Sequence, residues 1–318
     1  MNLARVIFAL MLSALAATAA AQWPNKPVRL IIPFPAGSAT DTVGRILGQS
    51  VSAAIGQPVL VENKAGADGA IAGAEVAKAA PDGYTLFLAT NSPMAVVPAM
   101  KKVPPYDPVT DFTPITDVGR YTFFLFANAS VPFTTLGQLI AHAKANPGKI
   151  AYATGNTTGI VSFAQLSALA GIDMLHVPYK GEPAAITDLI GGRVQLIFAT
   201  PTTGLAYVKD GKLRAIATSL RKRSPVLPDV PTMAESGMPK FSILSWAALY
   251  GPARMAKDLT ERIHREFTAA MKRPDVIAQM DKQAFFLNPS TPEELGAFTR
   301  EQREEYRTIL RAAGVQPE

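Results

Sequence analysis

Apolar residues in this chain alternate between two spacings. Compact runs bounded by Gly, Pro, Asp or Asn read as strands: Val28–Phe34, Pro58–Glu62, Tyr84–Thr90, Thr122–Asn128, Lys149–Thr154, Met174–Tyr179, Val194–Thr200, Leu213–Ser219 and Ser245–Tyr250. Between them apolar positions recur every three or four residues. Val43, Ile46, Leu47 and Val51 form one helical stripe, and Leu136, Leu139, Ile140 and Ala143 another. Ile186, Leu189 and Ile190 mark a short helix that Gly191-Gly192 should stop, since glycine enters left-handed φ at little cost. This alternation predicts an α/β architecture with mostly parallel sheets.

The last third turns helical. Leu259, Ile263, Phe267 and Ala270 share a face. A final helix should open at Thr291 with Pro292 and Glu294 behind it, a capping box, and run through Leu295, Phe298, Ile309 and Leu310 to Gly314. Ser224–Pro231, with three prolines, reads as an extended connector, and there is no internal repeat.

Residues 1–21 follow a different pattern. A short positive start ending at Arg5, an apolar run Val6–Leu15 and Ala19-Ala20-Ala21 have the form of a secretory signal cleaved near Ala21. The run is shorter than the roughly 20 residues a bilayer-spanning helix needs. Export to the periplasm is therefore expected. With no cysteine in the chain, disulfides, thiol catalysis and a lipid anchor on a terminal Cys are excluded.

At 48% hydrophobic and 18% charged residues, the chain can bury one large or two medium cores. Its net charge of +6 is carried by basic residues interspersed with acids, as in Lys101-Lys102 and Arg221-Lys222-Arg223. No basic stripe or recognised module supports nucleic-acid binding. A mildly basic receptor for anionic solutes fits, and so does general solubility.

Two segments carry the candidate chemistry, each where a strand hands over to a helix. The first is Pro33–Asp41, with Gly37, Ser38, Thr40 and Asp41; the second is Ala153–Gly159, with Thr154, Gly155, Asn156, Thr157 and Thr158. Small and hydroxyl residues there leave backbone N–H groups free to converge on a guest. A helix start carries about half a positive charge, so a carboxylate or phosphate can bind without a basic side chain. The loops are far apart in sequence, which suggests two lobes across a cleft. Tyr179 and Thr200 end other strands and could reach the same space. Nucleophile-elbow, Rossmann and P-loop patterns are absent. His142, His176 and His264 have no metal-site or triad spacing and read as structural. Trp246 reads as core or hinge packing.

A series of motifs in order resembles one family. Pro33-Phe34-x-x-Gly37 with Asp41, Val61-Glu62-Asn63-Lys64-x-Gly66-Ala67-x-Gly69, Ala79–Leu86, Tyr106-Asp107-Pro108-x-x-Asp111-Phe112, His176–Gly181, Gly211–Arg214 and Leu227–Thr232 resemble the Bug-type periplasmic receptors of tripartite tricarboxylate transporters. The resemblance spans essentially the whole chain after the signal. It implies a type II periplasmic-binding-protein fold, two α/β lobes around a ligand cleft joined by a two-segment hinge. The lobes would comprise residues 22–124 with 240–318, and residues 125–239. It implies no catalysis, no cofactor and no metal. Carried over position by position, it points to Phe34, Ala36, Gly37, Ser38 and Asp41 in one lobe and Thr154, Gly155, Asn156, Thr157 and Thr158 in the other. The implied partners are a small-molecule mono- or dicarboxylate and membrane permease subunits, with the receptor itself a monomer. A periplasmic sensor presenting the carboxylate to a signalling partner is the alternative, and a hydrolase using Ser38 or Thr158 a remote one.

Three positions depart from the family pattern. Ser38 stands where a second glycine is usual, and Val161-Ser162-Phe163 replaces a run containing His. Ala199 lacks the Asp of some members that bind amino dicarboxylates, which points to an unaminated acid. Phe34, Phe163 and Tyr179 leave room for an aromatic one.

Overall fold

A computed structural model describes residues 23–312. The proposed signal, its cleavage near Ala21 and the expected helix stop at Gly314 lie outside the described residues. The chain begins with β1 (Val28–Ile32), α1 (Ala39–Ile55), β2 (Val59–Asn63), α2 (Ala70–Ala77), β3 (Thr85–Thr90), α3 (Val97–Met100) and β4 (Phe112–Tyr121). It continues with β5 (Phe124–Asn128), α4 (Leu136–Ala145), β6 (Ala151–Thr154), α5 (Thr157–Ala170), β7 (Leu175–Pro178), α6 (Glu182–Ile190), β8 (Leu196–Ala199), α7 (Pro201–Lys209) and β9 (Leu213–Thr218). It ends with β10 (Trp246–Pro252), α8 (Lys257–Met271), α9 (Pro274–Lys282), β11 (Phe285–Leu287) and α10 (Pro292–Ala312).

These strands form two sheets, of order β11-β4-β10-β3-β1-β2 and β7-β6-β8-β5-β9. The first takes strands from both ends of the described chain and the second takes the middle. The chain passes between sheets twice, through Thr122-Phe123 and through residues 219–245. All nine strands read from the sequence are present, with ends within two residues. The sheets are mixed, however, not mostly parallel. β1 runs parallel to β2 and β3, and β6 to β7 and β8, whereas β10 opposes β3 and β4, and β5 opposes β8 and β9. The antiparallel pairings all involve β4, β5 or β10, the strands next to the two passages.

Two strands escape sequence patterning. In β4 the apolar residues Phe112, Ile115, Val118 and Tyr121 recur every third position. The pairing with β10 explains this: Leu249 faces Thr116 and Tyr250 faces Pro114, skipping Ile115, while Ala247 faces Gly119 and Ala248 faces Asp117, skipping Val118. Each bulge inserts one residue and breaks the two-residue period. β11 is a three-residue edge strand, too short to show a period.

Residues 224–231 also differ from expectation. They form successive turns, Leu227 N–H to Ser224 O and Val230 N–H to Leu227 O, rather than an extended connector. Pro225 and Pro228, with φ fixed near the turn value, suit that path.

The helical readings hold. Val43, Leu47 and Val51 are fully buried beneath α1, and Gly191 follows the last residue of α6. Thr291 N–H donates to Glu294 Oε2 at 2.8 Å while Glu294 N–H donates to Thr291 Oγ1 at 3.2 Å, closing the capping box. Trp246 is fully buried, with Nε1 donating to Gln302 Oε1 at 3.0 Å.

Phe163 is a core residue. It is fully buried, stacked on Tyr152 at 4.1 Å and edge-on to Phe198 at 4.9 Å. Removing it leaves a cavity under α5, so Phe163→Ala should lower unfolding free energy by about 3–5 kcal/mol. A urea melt of the mature protein checks this; a loss below about 1 kcal/mol would mean that the site collapses to fill the gap.

Candidate ligand-binding cleft

Between the two sheets lies a narrow cleft. It is lined from the first sheet's side by Phe34, Ser38, Ala39, Thr40, Thr90, Asn91 and Ser92, and from the second's by Gly155, Asn156, Thr158, Glu182 and Thr200. Tyr121 and Phe123 at one passage and Ser245 at the other complete it. No lining residue is Lys or Arg, and Glu182 is the one acid among them.

The loop after β1 is held in shape before any guest arrives. Gly37 adopts φ +79°, a conformation that other residues rarely tolerate. Its N–H donates to Asp41 Oδ2 at 2.9 Å, and Asn63 Nδ2 donates to Asp41 Oδ1 at 2.9 Å. Arg45, one helical turn on, pairs with the same carboxylate. Burial alone would raise the Asp41 pKa, but the hydrogen bonds from Arg45, Gly37 and Asn63 outweigh it and hold the carboxyl below its ordinary value. Ser38 caps α1, its Oγ accepting from Asp41 N–H at 3.3 Å, and its own N–H donates to Pro35 O. Gly37 and Ser38 therefore spend their N–H groups inside the loop. The N–H groups of Ala39 and Thr40, in the first turn of α1, have no partner among the described residues.

The second loop repeats the design with different residues. Asn156 caps α5, its Oδ1 accepting from Gly159 N–H at 2.9 Å. The first-turn N–H groups of Thr157 and Thr158 have no partner among the described residues. Gly155 is required by close approach: a Cβ there would sit 2.4 Å from Glu182 N.

Hydrogen bonds join the two sides. Asn91, just past β3, donates from Nδ2 to Thr158 Oγ1 at 2.9 Å and to Tyr306 Oη at 3.1 Å, while its Oδ1 accepts from Ser245 Oγ at 3.1 Å. Thr157 Oγ1 donates to Ser92 Oγ at 2.6 Å. Ser242 N–H donates to Gln165 Oε1 at 2.9 Å. Tyr121 Oη donates to Thr40 Oγ1 at 2.9 Å, and burial pushes its pKa up, so the phenol stays neutral.

Glu182 opens α6 and is only 5% exposed. Its Oε2 accepts from Thr200 N–H at 3.1 Å and Thr200 Oγ1 at 2.7 Å and lies 2.8 Å from Thr203 Oγ1, whose one proton also reaches Thr200 O at 3.1 Å; Oε1 accepts from Asn156 Nδ2 at 3.0 Å. Burial holds its pKa above the ordinary carboxylate value, and the surrounding donors offset this only in part. Ala199 ends β8 without an acid, yet Glu182 sets a carboxylate beside the next residue.

Of the twelve site residues expected from the sequence, Phe34, Ser38, Gly155, Asn156, Thr158 and Thr200 line the cavity. Ala36, Gly37, Asp41, Thr154, Thr157 and Tyr179 do not. Asp41 and Gly37 brace their loop, and Thr157 bonds Ser92. Thr154 Oγ1 hydrogen-bonds His176 Nε2 at 2.7 Å, and burial favours the neutral imidazole. Tyr179 Oη donates to Asp188 Oδ2 at 2.8 Å, away from the cavity. Phe163, offered as room for an aromatic acid, is in the core. Sequence reasoning missed Asn91, Ser92, Tyr121, Phe123, Glu182 and Ser245. Asn91 and Ser92 follow the strand Tyr84–Thr90, so the strand-end rule that found the two loops could have found them.

Two α/β lobes around a cleft, each presenting a helix start to it, define a type II periplasmic binding protein. The chain belongs to the tripartite tricarboxylate transporter family receptors, whose TctC model matches residues 43–315. It is similar to the periplasmic binding protein BugD (32% identity, TM-score 0.89, covering 93% of this chain and 100% of that one). It is also similar to R. palustris Rpa4515 with adipate (27% identity, TM-score 0.89, 93% and 100%). MatC from Rhodopseudomonas palustris, with bound malate, is a third (26% identity, TM-score 0.85, 91% and 100%). This is a periplasmic solute receptor, not an enzyme. No helix among the described residues is long and apolar enough to cross a membrane.

The bracing role of Asp41 gives a pH test. A carboxyl held below its unfolded value contributes stability above the unfolded pKa, about 3.9, and loses it as pH falls through the native one. Asp41→Ala should cost about 1–3 kcal/mol at pH 7, the scale of leaving buried donors unpaired, and less at pH 3. Paired denaturant melts at the two pH values measure this, and an equal loss at both would remove the charge from the explanation.

Proposed function

We propose that this receptor captures an organic mono- or dicarboxylate by closing its two lobes and delivers it to membrane permease subunits, acting as a monomer. The observation that carries this reading is the pair of helix starts, α1 and α5, at one cavity, where the N–H groups of Ala39, Thr40 and Thr158 lack partners among the described residues. Each start carries about half a positive charge, enough to hold a carboxylate without a basic side chain. Ser38 and Thr158 add hydroxyls beside them. The adipate and malate bound by two similar structures support an acid as the guest.

In this reading the first lobe carries the six-stranded sheet and the second, residues 125–239 with Phe124 of β5, the five-stranded one, the two moving as bodies about the passages. Motion there requires breaking few bonds. The contacts across the cleft are hydroxyl and amide hydrogen bonds, each with a net value of about 0.5–1.5 kcal/mol. The guest's carboxylate would take over the unpaired N–H groups as the lobes close and water leaves.

Thermal unfolding of ligand-stripped protein against citrate, C4–C6 diacids, aromatic acids and acidic amino acids tests this. A ligand at about 100 times its dissociation constant adds roughly 2.7 kcal/mol, a rise of several degrees. Thr158→Glu, which sets a like charge at the start of α5, should abolish that rise. An unchanged shift in the variant would remove this loop from the site, and a flat panel would overturn the carboxylate reading.

A further inference from the structure

The cavity wall has two unlike parts. One is the set of N–H groups at the starts of α1 and α5. The other is the Glu182 carboxyl, in a cavity with no Lys or Arg to neutralise it. Each of its oxygens faces an N–H donor that cannot accept in return: Thr200 N–H at Oε2 and Asn156 Nδ2 at Oε1. The Asn156 orientation is fixed, because its Oδ1 already accepts from Gly159 N–H. This suits an ionised carboxylate. Oε2 takes two donors from Thr200 and lies 2.8 Å from Thr203 Oγ1, whereas Oε1 takes one donor and keeps acceptor capacity.

We propose that Glu182 is the specificity-determining residue of the cleft, selecting carboxylic acids that carry a hydroxyl or ammonium donor a few bonds from the carboxylate. The inference rests on the receptor reading above and goes beyond it by naming the guest's second group. The guest's carboxylate meets the helix starts and its donor meets Glu182 Oε1. An acid without a donor leaves that oxygen unmatched, and a plain diacid sets its second carboxylate against the Glu182 charge. Sites built to hydrogen-bond a substrate O–H or N–H reject analogues lacking it more strongly than apolar pockets reject a missing methylene.

The test is calorimetric titration of ligand-stripped protein with matched acids: malate and aspartate against succinate, and 3-hydroxybutyrate against butyrate. A hydrogen bond to a charged group corresponds to about a 10- to 150-fold preference for the donor-bearing member in at least one pair. Glu182→Gln should shrink that ratio to about threefold or less and improve succinate binding. Thr203→Val, which removes one donor from Oε2, should move the ratio the same way by less. The wild-type ranking decides the matter even if Glu182→Gln does not fold. Equal or tighter binding of the unsubstituted acid in every pair overturns the proposal. Binding without donor preference removes this inference alone. Failure of every acid to bind removes the carboxylate reading and this inference with it.

Discussion

Helices α1 and α5 begin against the same space, and each begins with N–H groups that no other described part of the protein satisfies. A helix start cannot be buried in that condition without cost, since an unpaired buried donor costs about 1–3 kcal/mol. Something must meet those groups, either water or a guest. Much of the architecture around the cavity serves this constraint. The two helices follow interior strands of different sheets, so their starts face each other when the carboxyl ends of those strands point at the same space. The chain passes between the sheets twice, and β4, β5 and β10, the strands beside those passages, run antiparallel to their neighbours. Tyr121, Phe123 and Ser245 line the cavity because they sit at those passages.

The same constraint explains why the loops are braced from behind. An N–H donor is useful to an anion only if it is held still, and Asp41 does this for the first loop by collecting Gly37, Asn63 and Arg45. Its charge is spent on the loop. Asn156 performs the equivalent service at α5 without a charge. The cavity is left with amides, hydroxyls and one acid. The contacts that join the two sides, Asn91 to Thr158 and Thr157 to Ser92, are neutral and exchangeable. A receptor that must release its cargo is better served by such bonds than by ion pairs.

Both candidate loops were legible in the sequence because Gly, Ser and Thr cluster where an apolar run ends, a local signal for backbone shape. The α/β class was legible in the alternation of spacings, and the capping box at Thr291 in three residues. What was not legible depends on distant contacts. Ile115 and Val118 look out of phase until β10 is laid beside them. Asn91 is a single polar residue after a strand, and its partners Thr158, Tyr306 and Ser245 come from three other parts of the chain. Glu182 looks like an ordinary acid in the first turn of a helix, favourable beside the helix dipole and normally in water. Only the folding of α6 against Gly155 and Thr200 buries it.

Burial changes what Glu182 means for recognition. At a surface, an acid in the first turn of a helix is a small stabilising contact. In a cavity without a cation, it repels a second negative group and rewards a donor. The N–H groups of α1 and α5 would accept almost any carboxylate, since they are read through one shared feature of all such acids. Discrimination among acids therefore has to come from the rest of the wall. Phe34 and Phe123 can judge shape, but an apolar contact separates similar guests by only about 1–3 kcal/mol. A buried charge with one open lone pair discriminates more sharply. The helix starts thus define the class of guest, and Glu182 holds the strongest position from which to choose within it.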